Sequence, residues 1–226
     1  MKLSIALVIL VSISFFSCNN KKIQSGEITY EITYPYNELS NLMEIMVPKT
    51  MTIVFKGDKM KTTIEKGNFF TTNIISNETT KELEMRFKMG TDIFNSHLTK
   101  DEITNFIRSQ TTYNISAPKK GASLVNRVCL HYEVDCPNDS IDLFPSVFTS
   151  DFSIQKGGWF SAYHEIEGMP LESLIDRYDL FMKVKATSFV AREVQDSEFD
   201  PQFEYIEVPY ETYDKKVQDL FDVMLD

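Results

Sequence analysis

The chain has 226 residues and a formal net charge of −10 at pH 7. So acidic a body repels phosphate, which argues against nucleic acid as a partner and against adhesion to an anionic lipid surface. The length suits one domain or at most two, and 17 Phe and 10 Tyr against 8 Gly and 8 Pro favour strands around a packed interior.

At the N-terminus, Lys2 precedes an almost wholly apolar run, Leu3–Phe16, followed by Ser17-Cys18-Asn19-Asn20-Lys21-Lys22. A helix that spans a bilayer needs roughly 20 apolar residues, and this run is shorter. A basic start, a short apolar core and a small residue at the cut describe a secretory signal. Phe15-Phe16-Ser17-Cys18 also resembles the lipobox of bacterial lipoproteins, although Phe15 stands where Leu is usual. In that family cleavage leaves the cysteine as the new N-terminus, and its sulfur and amino group carry acyl chains. The resemblance implies residues 1–17 as signal peptide, Cys18 as lipidation site and residues 18–25 as tether. It also implies a membrane partner reached through lipid. Asn19 is not the Asp that resembles an inner-membrane retention signal, and no acidic cluster follows Cys18. The expected address is therefore the outer membrane, facing the periplasm. A cleaved but unlipidated signal, with Cys18 incidental, is the plainer alternative.

Ile28, Tyr30, Ile32 and Tyr34 alternate with Glu27, Thr29, Glu31 and Thr33, which predicts a strand with one dry face. Residues 37–46 read as a short helix or ordered loop. Three strands follow up to residue 76, with Gly57-Asp58 and Lys66-Gly67-Asn68 marking hairpin turns. Residues 80–89 form a fourth, with Leu83, Met85, Phe87 and Met89 on one face and Glu82, Glu84, Arg86 and Lys88 on the other. Successive hairpins make an antiparallel meander. Thr99 and Glu102 have the spacing of a capping box and predict a helix over 100–109. Residues 125–136 read as one strand, which sets Cys129 and Cys136 about 23 Å apart on opposite faces and argues against a disulfide between them. Residues 141–155 carry little signal. Residues 159–167 read as a strand, 168–170 as a turn, and 171–176 and 180–192 as strands. Leu180, Met182, Val184 and Ala186 alternate in the last of these. Thr212 starts a C-terminal helix over 212–226, with Val217, Leu220, Phe221 and Met224 on one face. The sum is a mainly β (α+β) domain over 26–211: a curved antiparallel sheet or half-open β-barrel with a few short helices, and a C-terminal helix packed on it.

Several stretches then look familiar together: GEITYEITY, MTIVFKGDKMKTTIE, VNRVCLHYEV, IEGMPLES with its Gly-x-Pro-Leu element, and VQDSEFDPQFEYIEV. Their succession over residues 26–208 resembles a family of uncharacterised bacterial envelope lipoproteins. The sheet of that family is related in shape to the Lol-type carriers and receptors of lipoproteins. Asn126 and Met169 depart from the pattern. The resemblance implies an apolar cavity for acyl chains in the concave face, with Phe55, Met85, Phe87, Leu180 and Met182 as candidate ligand-binding residues. It implies no catalytic residue. The alternative is a filled core and a structural or interaction lipoprotein that works through surface contacts with another envelope protein.

Nothing in the chain matches a nucleophile elbow, a phosphate-binding loop, a dinucleotide fingerprint or a His-Glu-x-x-His metal site. Cys129, His131 and His164 make a conceivable metal set, but such residues are more often separate core and edge positions. The expectation is a protein with no cofactor, no metal and no catalytic activity. If Cys18 carries the anchor, mass spectrometry of the mature protein will find an acylated N-terminus at Cys18, and Cys18→Ser will move it from the membrane to the soluble fraction. An intact N-terminus beginning at Met1 would overturn the reading.

Overall fold

A computed structural model describes residues 22–136 and 143–225. Among these the chain forms β1 (Ser25–Thr33), α1 (Asn41–Met46), β2 (Thr50–Lys56), β3 (Lys59–Lys66), β4 (Phe70–Asn77), β5 (Glu82–Met89) and β6 (Asp92–His97). There follow α2 (Lys100–Arg108), β7 (Asn114–Ile115), β8 (Lys119–Leu124), β9 (Arg127–Asp135) and β10 (Phe144–Thr149). The last elements are β11 (Met169–Arg177), β12 (Leu180–Val190), a 3-10 turn at Asp196–Phe199, β13 (Ile206–Glu207) and α3 (Tyr210–Leu225). All thirteen strands join one curved, unclosed sheet in the order β13-β6-β5-β4-β3-β2-β1-β12-β11-β10-β9-β7, with β8 also on β9. Every pairing is antiparallel except that of β13 with β6. Cys18 and its surroundings lie outside the described residues.

The alternation in β1 does what its period dictates. Ile28, Tyr30 and Ile32 are at most 2 % exposed, and the strand sits at the middle of the sheet between β2 and β12. The meander β2–β6 turns at Gly57 and Gly67, both at positive φ, where a residue without Cβ is at ease. The α2 capping box forms as expected: Thr99 Oγ1 accepts from the Glu102 amide and the Glu102 carboxylate from the Thr99 amide. Ile103 and Phe106 of α2 are buried against the concave face.

Two expectations are corrected. Residues 159–167 are not a strand but a chain of tight turns, closed by amide bonds from Trp159 to Lys156, Ser161 to Gly158, His164 to Ser161 and Ile166 to Tyr163. The buried positions there are Trp159, Phe160, Tyr163 and Ile166, and their spacing of three suits a coil and not the period of two that a strand face needs. Gly168, at φ 101°, is the corner and β11 begins at the next residue. A Cβ on Gly168 would lie 2.6 Å from the Thr149 carbonyl oxygen, so the close approach of two backbones fixes glycine here. The strand expected over 125–136 forms as β9, Arg127–Asp135; Val125 and Asn126, both at positive φ, make a two-residue turn that folds β8 back on it. Cys129 and Cys136 still face opposite ways, one in the main core cluster and the other in a smaller cluster on the opposite face.

After β12 the chain crosses the outer face of the sheet as a strap, residues 191–209. Arg192 binds Glu27 of β1 and Glu198 of the strap. Lys56 meets Asp196, and Lys61 Nζ donates to the Glu198 carbonyl. Arg86, buried and paired to Glu84, donates to the Phe199 carbonyl at 2.9 Å. Phe199 closes a small cluster with Ile75 and Val194. The strap then reaches the far edge, where β13 lies parallel to β6 because it arrives by a long crossover. From there α3, starting at Tyr210 and so two residues before Thr212, turns into the concave side. Val217 is buried and Leu220 and Phe221 pack on the core, while the Met224 side chain lies outside the described residues.

Hydrogen bonds from Arg192 chiefly, with the Gln195 amide and the Arg192 and Lys61 charges, hold the Glu198 carboxyl down to about 2 against a partial burial that works the other way. A carboxyl depressed in the folded state stabilises it above the unfolded value near 4.5, and that contribution is lost as pH falls through about 2. Glu198→Gln is therefore expected to lower the urea midpoint at pH 7, with the gap to wild type closing as the pH drops from 4.5 to about 2. A gap independent of pH would show that the ion pair does not hold the strap.

Candidate functional site

The concave face has two unlike ends. Where β2 ends and β12 ends, Phe55, Phe152 and Phe189 fill the space, with Phe55 and Phe152 rings 4.9 Å apart and Phe152 and Phe189 rings 5.0 Å apart. Phe152 comes from the loop after β10, which is pinned by bonds between Ile23 and residues Asp151 and Ser153. Gly26 makes room for the Phe189 ring, since a Cβ there would stand 2.7 Å from it.

At the opposite end the sheet is covered by α2, α3 and the 157–163 turns, and these do not meet the strands everywhere. They leave a partly enclosed cavity of about 210 Å³. Met51, Ile53, Ile64 and Phe70 form its floor from β2, β3 and β4, with Met85 and Phe87 from β5. Leu180 and Met182 of β12 form one side; Phe106, Tyr213, Val217 and Phe221 of the two helices form the roof. Four of the five candidate residues thus share one cavity: Met85, Phe87, Leu180 and Met182. Phe55 does not join them. Its parity puts it on the same face, but Phe152 occupies the space in front of it.

Most polar groups on the cavity wall are satisfied by the protein. Tyr30 Oη donates to the Pro170 carbonyl at 2.8 Å and Tyr34 Oη to the Pro48 carbonyl at 2.7 Å. Gln110 is held by the 157–163 turns, donating to Phe160 O and accepting from the Ala162 amide. Burial pushes the phenols of Tyr30, Tyr163 and Tyr213 far up, so they stay neutral. At the β11–β12 turn the wall becomes charged. Arg177 Nη2 reaches Tyr210 Oη at 2.7 Å and the Asp214 carboxylate, while Tyr178 Oη donates to the same carboxylate at 3.0 Å. The guanidinium lies over the Phe106 and Tyr178 rings, 4.9 and 4.8 Å from their centroids. Burial opposes its charge, but Tyr178, Tyr210 and Asp214 outweigh that and hold its pKa above the ordinary value. Thr111 Oγ1 donates to the Asp176 carboxylate alongside. Asp176, Arg177, Tyr178, Tyr210 and Asp214 had no signal in the sequence beyond a turn and a helix start. Only the docking of α3 brings them together.

The conceivable metal set is dispersed. Cys129 faces the core and donates to the Arg127 carbonyl, whereas His164 is exposed on the turns. Among the described residues no group of three or more His, Cys, Asp or Glu is placed to hold a metal ion. Also among them, no helix is long and apolar enough to cross a membrane.

No protein-family profile and no curated protein matches the chain. A solved structure of PNGF-II, in space group C2, superposes on 88 % of this chain with a TM-score of 0.53 at 14 % sequence identity. The match covers 33 % of that protein, so this chain spans about a third of its length. At this identity the likeness concerns the fold alone.

The two ends of the face are expected to respond differently to truncation. Phe55→Ala opens a void in a filled cluster and is expected to cost about 3–5 kcal/mol in urea denaturation. Met182→Ala enlarges space that is already empty and is expected to cost well under half of that. Equal losses at both positions would mean that the Met182 end is as tightly packed as the Phe55 end.

Proposed function

We propose that the protein is a lipid-anchored protein of the cell envelope, fastened through Cys18 to the outer membrane and facing the periplasm. In this reading it takes an apolar ligand, or the acyl part of a lipidated partner, into the concave face of its sheet. The observation that carries the reading is the cavity over Met85, Phe87, Leu180 and Met182. A cavity of about 150 Å³ lined by aliphatic and aromatic groups stays dry and takes up a small apolar molecule; this one is larger, and such groups line it over Met85, Phe87, Leu180 and Met182, away from the charged β11–β12 turn. Such a space also weighs against the alternative of a wholly filled core with work done only at the surface. The anchor rests on the sequence of residues 1–22. No catalytic residue enters the reading.

N-phenyl-1-naphthylamine, a neutral probe that fluoresces in dry surroundings, provides the test. The purified protein is expected to bind it saturably. Met182→Trp, which fills the cavity, should weaken binding at least about tenfold, roughly 1.4 kcal/mol, with the melting temperature held or raised. Absence of saturable binding, or binding indifferent to Met182→Trp, would refute the proposal.

A further inference from the structure

The chain enters the fold at the packed end of the concave face. The Ile23 amide donates to the Asp151 carbonyl, the Ile23 carbonyl accepts from the Ser153 amide, and the Gln24 carbonyl accepts from the Gly57 amide. From there β1 runs towards the cavity. On the side where β1 starts, Phe55, Phe152 and Phe189 shut the cavity off. On the side where β1 ends, its wall runs out at the surface. Half-buried Tyr34 lies just past β1 there, Pro48 just before β2, and half-buried Arg177 and Tyr178 at the β11–β12 turn. Eleven residue steps of mostly extended chain separate Ile23 from Tyr34, so at roughly 3.3 Å per residue the mouth lies about 35 Å from Ile23.

Only five residue steps separate Cys18 from Ile23, and at full extension five steps span at most about 18 Å. Resting on the Cys18 anchor and the cavity of the reading above, we infer that the packed end is the surface this protein turns to its bilayer, and that the cavity opens on the opposite side, towards water. For the mouth to meet the bilayer, Ile23 would have to stand about 35 Å from it, roughly twice the reach of the tether. Lying along the bilayer is opposed by charge, since a body of formal net charge −10 is repelled by anionic lipid. Tyr36, Leu42 and Ile45 are exposed beside the mouth and are the apolar groups that would dip into lipid if the body were inverted. The tether keeps them clear. An apolar ligand therefore enters and leaves through the aqueous side and does not slide in from the lipid layer that holds the anchor.

The test attaches the acylated protein to vesicles of phosphatidylethanolamine and phosphatidylglycerol that carry a nitroxide on a fraction of the headgroups. Bimane is placed on one introduced cysteine and its quenching is read; Cys129 and Cys136 are buried. Thr79→Cys puts the label on the exposed β4–β5 turn at the packed end, and Glu38→Cys puts it on the exposed loop beside the mouth. Quenching is expected to be at least about threefold stronger at Thr79→Cys, in keeping with the two distances. A flexible Gly/Ser insert of about thirty residues between Cys18 and Ile23, with an r.m.s. length of roughly 30 Å, should bring quenching at Thr79→Cys down to the level at Glu38→Cys. Equal quenching at the two positions with the natural tether, or stronger quenching at Glu38→Cys, overturns the inference. So does quenching at Thr79→Cys that survives the insert, because the packed end would then adhere without help from the tether. Protein that carries no acyl group and stays off the vesicles refutes the anchor and this inference together; attached protein quenched equally at both positions refutes this inference alone.

Discussion

A curved sheet of thirteen strands leaves a long concave face to be kept from water, and this chain has little with which to cover it. Two helices, of 9 and 16 residues, and one run of turns must serve. Burial of apolar surface, at about 25 cal/mol per Å², rewards every element that reaches the face. Phe152, from the loop after β10, closes one end with Phe55 and Phe189. At the other end the helices bridge the strands without filling the space between, and the cavity is what remains.

The helix that roofs this space is placed from outside the sheet. The strap runs over β1 to β5, held by Arg192 on Glu27 and Glu198 and by buried Arg86 on the Phe199 carbonyl, and delivers β13 to the edge. From that edge α3 enters the concave side. Arg177 receives it there: Asp214 and Tyr210 of α3 close on the guanidinium, and Phe221 stacks on Tyr178 at 5.3 Å. The Asp214 side chain is 40 % exposed, so solvent screens the pair and its main effect is to orient α3.

Strict alternation made β1, β5 and β12 legible as strands with a dry face, and the Thr99–Glu102 spacing made α2 legible to within one residue. Local patterns carry these because local physics decides them. Residues 159–167 misled, since aromatic side chains are frequent in strands and also in compact turns pressed onto a core. The Val125-Asn126 turn was hidden because a β-branched residue is a poor sign of positive φ. Met85, Phe87, Leu180 and Met182 could be read as facing inward, but parity says only which face a side chain is on. Whether that face is hollow depends on what comes down opposite it. Phe55 shares the face and meets Phe152, 97 positions away in the chain. The strap and the Arg177 latch are non-local for the same reason: Arg192 and Glu27 are separated by 165 residues.

The central claim is that one face of a single sheet is packed at one end and hollow at the other. Crystals of the protein pressurised with xenon test it directly, because xenon enters dry apolar cavities and leaves close-packed cores alone. The account predicts xenon density between Ile64, Phe70 and Met182 and none among Phe55, Phe152 and Phe189. Density absent from both places, with helix side chains filling the first, would contradict it.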